Sequence, residues 1–136
     1  MPAGYSQRSL VEKLGIKAGM NFVVFAAPPG YDATLGVLPE GARRQAQLRG
    51  PFALIQFYAT ERKVLESRFA ALKKALAADG ALWISWPKGS SKAHTDLNEN
   101  AIREIGLAHG LVDVKVCAVD EIWSGLKFVY RIKDRK

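Results

Sequence analysis

Apolar positions along this chain follow two rhythms, and each predicts its own kind of element. Near-continuous apolar runs at Asn21 to Ala27, Phe52 to Ala59, Ala81 to Trp86 and Leu111 to Val119 have the pattern of strands covered on both faces. Between the second and third of these, Leu65, Phe69, Leu72 and Leu76 recur at the spacing of one helical face. They predict a helix from Glu61 to Ala77, capped by Thr60 and ended by Asp79 and Gly80. Ser9 followed by Glu12 has the spacing of a capping box and predicts a short helix ending at Gly15. Another short helix is expected from Tyr31 to Leu38, where Pro39, Glu40 and Gly41 stop it. Thr95 or Asp96 can cap a further helix with Glu99 in its first turn, ending at Gly110. Ala42 to Leu48 alternates weakly, as an edge strand would, before the turn at Gly50 and Pro51. Finally, Leu126, Phe128, Tyr130 and Ile132 alternate with Lys127, Val129, Arg131 and Lys133, predicting a strand with one wetter face.

This order of elements fits an α/β fold of three layers, a Rossmann-like, mostly parallel sheet with helices on both faces. The last connection, Asp120 to Gly125, is too short for a parallel crossover, so the C-terminal strand is expected to be antiparallel. The expected core comprises Phe25, Leu54, Ile55, Leu65, Phe69, Leu72, Ile84, Ile102, Ile105, Val114, Val116 and Phe128.

Composition narrows the class further. A chain of 136 residues, 49% hydrophobic, suits one domain over residues 1–136, with short flexible ends at 1–8 and 133–136. Neither a signal-like apolar run nor a stretch of membrane-spanning length is present, which predicts no membrane association and a cytoplasmic location. The single Cys117 excludes an internal disulfide, and His94, His109 and the carboxylates show no metal-ligand spacing. The net charge of +7 would attract polyanions. Its carriers are dispersed, however, with Arg43, Arg44 and Arg49 in one group and Arg131, Lys133, Arg135 and Lys136 in another. Without any nucleic-acid motif, that distribution favours a solvated basic surface over nucleic-acid contact.

Candidate chemistry gathers in loops. In an open parallel sheet, ligands bind beyond the carboxyl ends of the strands. Four loops are expected on that rim, and they bring together Tyr31, Arg62, Lys88, Ser90, Ser91, Lys92, His94, Asp120, Glu121, Trp123 and Ser124. Lys88 and Lys92 add positive charge, Ser90 and Ser91 add donors, and the following helix start offers N–H groups, a combination suited to a small anion. Trp123 would cover an apolar part of that ligand. Cys117 is expected to pack inside its strand, and His109 to sit at a helix end. Asp120 and Glu121, read as part of an extended strand, would point to opposite faces and make a poor acid–base pair.

The terminal antiparallel hairpin and the order of elements resemble the S-adenosylmethionine-dependent methyltransferase fold, shortened between Leu48 and Phe52, where no room exists for a helix and strand of the full fold. The runs SLVEKLGIKAGM, GALWISWPKGSS and TDLNENAIREIGLAHGLVDVKVCAVDEIWSGLKFVYR are similar to a family of small bacterial proteins described only as a domain of unknown function. The methyltransferase resemblance implies S-adenosylmethionine as a possible cofactor, held by a glycine-rich turn after the first strand and an acidic residue ending the second. Here that turn reads Pro28, Pro29, Gly30, Tyr31, so Gly30 and Asp32 are the only weak cofactor contacts, and the second strand runs toward Leu48 and Arg49. Two readings stay open: a non-catalytic module for a small anionic ligand or a protein partner on a methyltransferase-like scaffold, or a reduced methyltransferase with an unknown acceptor.

Overall fold

The interior strands form where the chain offers apolar side chains to both sides at once. In the computed structural model, which describes residues 9–89 and 94–135, β1 (Asn21–Phe25), β3 (Phe52–Tyr58) and β4 (Leu76–Pro87) pair in parallel. The short β2 (Arg43–Gln45) joins the outer edge of β1, also in parallel. After helix α4 (Glu99–Ala108), β5 (Leu111–Ala118) and β6 (Trp123–Tyr130) form a hairpin whose second strand inserts antiparallel between β4 and β5. The six strands therefore lie in the order β2-β1-β3-β4-β6-β5.

One core lies on each face of this sheet. Alternation along β3 sends Ile55 and Phe57 toward α3 (Arg62–Lys74) and α4, where Phe69, Leu72, Ile102 and Ile105 meet Phe128. Leu54 and Tyr58 face the other way, against Leu10 and Leu14 of α1 (Leu10–Leu14) and Tyr31 and Leu35 of α2 (Tyr31–Leu35). The expected capping box starts α1, with Ser9 Oγ accepting from the Glu12 N–H at 3.3 Å. Trp83, fully buried, closes this second core by donating its indole N–H to the Leu14 carbonyl at 3.0 Å.

Several boundaries differ from the sequence expectation, each for a local reason. β1 stops at Phe25 because Ala26 turns into a left-handed conformation at φ 59°. α2 ends at Leu35, ahead of Gly36 at φ 93°. Leu76, assigned to the face of α3, instead opens β4 by pairing with Phe52. Gly80 is accordingly no helix stop: a Cβ there would lie 2.8 Å from the Phe52 carbonyl oxygen, so glycine permits a close strand approach. α4 starts later than expected, capped by Asn98, whose Oδ1 accepts from the Ala101 N–H at 2.8 Å. β6 starts at Trp123 and ends at Tyr130, leaving Ile132 82% exposed in a short 3-10 turn.

The core also needs correction at its margin. Phe25 is only half-buried, while Val114 and Val116 are 54% and 50% exposed. β5 is the outermost strand, and its register shifts between Asp113 and Lys115, so Val114 has no partner on β6 and Val116 lies on a strand paired along one side only.

Candidate rim site

Parallel pairing of β1, β3 and β4, with β5 running the same way, puts the loops after these strands on one rim. Main-chain and short polar contacts tie those loops together. Thr95 Oγ1 donates to the Thr60 carbonyl at 2.6 Å, and Asp96 Oδ1 accepts from the Arg62 N–H at 2.7 Å. Thr95 and Asp96 thus brace the start of α3 instead of capping α4. On the other side the Lys88 N–H donates to the Ile122 carbonyl at 2.7 Å, joining the end of β4 to the β5–β6 turn.

Asp120 shapes that turn. Its Oδ1 accepts from the Ile122 and Trp123 N–H groups, both at 2.8 Å, so the carboxylate is committed to the backbone. The expectation of an extended strand at Asp120 and Glu121 gives way to a turn, with Asp120 half-buried and Glu121 exposed. The turn delivers Trp123 edge-on to Tyr58 at a centroid distance of 4.9 Å. Ser124 then pairs with Trp86 and Ala118 within the sheet.

Beneath the rim, on the α1/α2 face, runs a buried polar chain. The Tyr31 hydroxyl donates to Gln56 Oε1 at 2.5 Å, and Gln56 Nε2 donates to Ser85 Oγ at 3.1 Å. Gln56 and Ser85 are fully buried, and Tyr31 and Tyr58 nearly so. Burial raises the pKa of both phenols; for Tyr31 nearby Arg44 opposes the rise, and for Tyr58 the neighbouring Tyr31 and Asp120 add to it. Both hydroxyls consequently stay protonated across the physiological range. Gln56 and Ser85 were missed from sequence, although a polar residue inside each of the apolar runs FALIQFY and ALWISWP was the available signal.

The chain's own side chains pair across the turn after β1. Arg44 on β2 reaches Asp32 Oδ1 at 2.6 Å and lies over the Tyr31 ring at 5.1 Å. A shallow cleft of about 300 Å³ lies there, lined by Ala27, Pro28, Gly30, Tyr31, Asp32, Ala33 and Arg44. Asp32 sits inside the first turn of α2, and Gly30 holds the N-cap position at φ 83°.

The remaining sequence candidates divide. Lys88 is half-buried and His94 exposed at the rim, while Ser90, Ser91 and Lys92 lie outside the described residues. The start of α4, invoked as their anion partner, is occupied by the Asn98 cap, and Glu99 pairs with Arg103. Cys117 is half-buried against the α1/α2-side core, and the His109 ring stacks on Phe69 at 4.7 Å. Among the described residues, no group of at least 3 His, Cys, Asp or Glu side chains is placed to hold a metal ion. No helix among them is long and apolar enough to cross a membrane.

No protein-family model matches the sequence, and no curated protein matches it. Solved structures do. An S-adenosylmethionine-dependent methyltransferase from Aquifex aeolicus is similar at TM-score 0.62 and 11% identity, over 88% of this chain and 86% of its own. A TehB-like S-adenosylmethionine-dependent methyltransferase from Corynebacterium glutamicum reaches TM-score 0.56 at 16% identity, over 95% and 91%. The Synechocystis magnesium protoporphyrin IX methyltransferase with bound S-adenosylmethionine reaches 0.58 at 13%, over 90% and 74%. The fold is a shortened methyltransferase fold. Identities this low show the fold alone, so the cofactor has to be tested on the residues present.

On a methyltransferase fold the turn after β1 would offer bare backbone to the cofactor. Here Pro28 and Pro29 have no N–H to offer, and the Tyr31 N–H is taken by the Pro28 carbonyl at 3.2 Å. Gly30 takes a left-handed φ of 83°, and a Cβ there would meet no protein atom within 4 Å. β2 ends at Gln45 and carries no carboxylate, and Asp32 on α2 is bound to Arg44. These residues do not fit the cofactor in its usual place.

Proposed function

We propose that this chain is a non-catalytic binding module on a methyltransferase scaffold, with its ligand at the carboxyl-end rim. The observation that supports this reading is the chemistry of the β1 turn, where Pro28 and Pro29 lack N–H donors and Arg44 pairs with Asp32 beside the Tyr31–Gln56 bond. The ligand class that best suits the rim is a small anion with an apolar portion, approached by Lys88 and the half-exposed Trp123.

A second reading, a reduced S-adenosylmethionine-dependent methyltransferase with an unknown acceptor, has a specific observation in its favour. Neighbours with bound cofactor match about nine-tenths of the chain, 90% for the Synechocystis enzyme with S-adenosylmethionine and 91% for the DhpI complex with S-adenosylhomocysteine. That likeness speaks for the enzyme at least as strongly as for the module, and the turn chemistry is what divides them. Calorimetric titration with S-adenosylmethionine, S-adenosylhomocysteine, phosphate and a mononucleotide separates the two. The module reading expects no heat from S-adenosylmethionine or S-adenosylhomocysteine below about 1 mM, a limit of roughly −4 kcal/mol. Saturable binding of either compound in the micromolar range would favour the enzyme.

A further inference from the structure

The shortened connection between β2 and β3 leaves a groove. Residues 46–51 pass directly from one strand to the next, so among the described residues α3 is the one helix flanking the β1–β2 edge of the sheet on this face. Leu48, Gly50, Pro51, Ala71, Lys74 and Ala75 enclose a cavity of about 440 Å³ open to solvent. Its lower wall is fixed by backbone contacts. The Phe52 N–H donates to the Ala75 carbonyl at 2.8 Å, and a Cβ on Gly50 would lie 2.2 Å from that same oxygen. Asn21 Nδ2 holds the Pro51 carbonyl at 3.0 Å from the sheet side.

Charge around the groove has one sign. Lys74 lines it, and Arg68 lies farther up α3 with its guanidinium 5.8 Å from the Phe25 ring. Because Arg44 faces α2, strand alternation puts Arg43 on the α3 side, and Arg49 belongs to the connecting segment. The ion pairs among the described residues use Arg44, Arg62 and Arg103, leaving Arg43, Arg49, Arg68 and Lys74 without one. Among the described residues, no carboxylate lines the cavity. The floor is aliphatic, and Val64, 41% exposed, extends the apolar strip along α3.

We propose that this groove docks an acidic amphipathic helix of a protein partner, apolar side chains against Leu48, Ala71 and Val64, carboxylates toward Arg43, Arg49, Arg68 and Lys74. Such a helix would stand where the connection has been shortened, alongside α3, whose 13 residues span about 20 Å. Single-stranded nucleic acid fits less well, because it needs exposed aromatic platforms. The large hydrophobics exposed among the described residues are all aliphatic, and Phe25 already lies under Arg68. A second copy of this chain is disfavoured too, since a two-fold contact through this groove would set like charges against each other.

The test uses the full chain, 15N-labelled, at low salt, with a synthetic peptide of about 14 Glu and Leu residues arranged as about four amphipathic turns. A scrambled peptide of equal composition and an oligouridine serve as competitors. The proposal expects saturable amide shifts centred on Leu48, Ala71, Lys74 and Ala75, with the scrambled peptide at least about tenfold weaker. Arg68→Gln with Lys74→Gln should weaken binding at least about fivefold, whereas Lys133→Gln with Arg135→Gln should stay within about twofold. Equal binding of the scrambled peptide, shifts centred elsewhere, or displacement of the peptide by equimolar oligouridine would each overturn it. The amide spectrum of each variant reports its fold in the same experiment.

Discussion

Removing one oxygen from Tyr31 should weaken this fold more than removing the whole charged end of Arg44. In Tyr31→Phe the ring stays in place, edge-on to Tyr58 at 5.7 Å, and only the donor to Gln56 Oε1 is lost. Gln56 is 0% exposed, so water cannot replace that donor, and an orphaned buried acceptor costs about 1–3 kcal/mol. Arg44 and Asp32 have side chains 36% and 86% exposed, and solvent-screened pairs of that kind contribute about 0–1 kcal/mol. Urea unfolding at pH 7 should therefore place Tyr31→Phe clearly below Arg44→Ala. The cause is isolated by a double-mutant cycle with Gln56→Met, which should return a coupling of about 0.5–3 kcal/mol between directly bonded groups. If Tyr31→Phe loses less than about 0.5 kcal/mol, or the cycle shows no coupling, the hydroxyl is not held by Gln56 and that bond does not fix Tyr31 in the turn.

Three further outcomes test the packing and the titration. Phe69→Ala should cost about 3–5 kcal/mol in the same unfolding assay, because the ring is fully buried against Phe128 and His109, while Val116→Ala on the exposed edge should stay within about 0.5 kcal/mol. Gly106→Ala should destabilise by about 1–3 kcal/mol, despite alanine's better helix propensity, since the new Cβ would sit 2.0 Å from Phe128 Cε1. Tyr31 and Tyr58 have pKa values raised by burial, so their contribution is fully present below the unfolded phenol value and is lost as pH rises through the folded one. Above about pH 10 the parent should lose stability more steeply than Tyr31→Phe by about 1.4 kcal/mol per pH unit; equal slopes would contradict the burial argument.

The interior was legible in the sequence because it is overdetermined. Runs such as FALIQFY are apolar on both faces, so β3 would be buried in any register, and Leu65, Phe69 and Leu72 fix the inner side of α3 by spacing alone. Pooling the loops of the parallel strands on one rim followed from topology. What sequence hid was set by backbone contact between distant segments: β4 starts at Leu76 because Phe52 pairs with it, and Gly80 looked like a helix stop while serving strand approach. Val114 and Val116 look like core until β5 is known to be the outer strand. Arg44 was visible only as one member of a basic group, and its role depends on a short parallel strand bringing it beside Asp32 and Tyr31. At the rim the polar residues Asp120, Thr95 and Asp96 turned out to organise loops, a task that composition does not distinguish from ligand binding.

The central claim is that the chain's own side chains occupy the cofactor position after β1. Its most direct test is a site-resolved amide titration of the 15N-labelled chain with S-adenosylhomocysteine, read at Ala26, Ala27, Gly30, Tyr31, Asp32 and Arg44. The account predicts that these signals stay still up to about 1 mM ligand, even if amides near Lys88 or Trp123 move. Saturable shifts across Ala26 to Asp32, together with displacement of the Arg44 side-chain signal, would show that the turn opens to admit the cofactor and would contradict it.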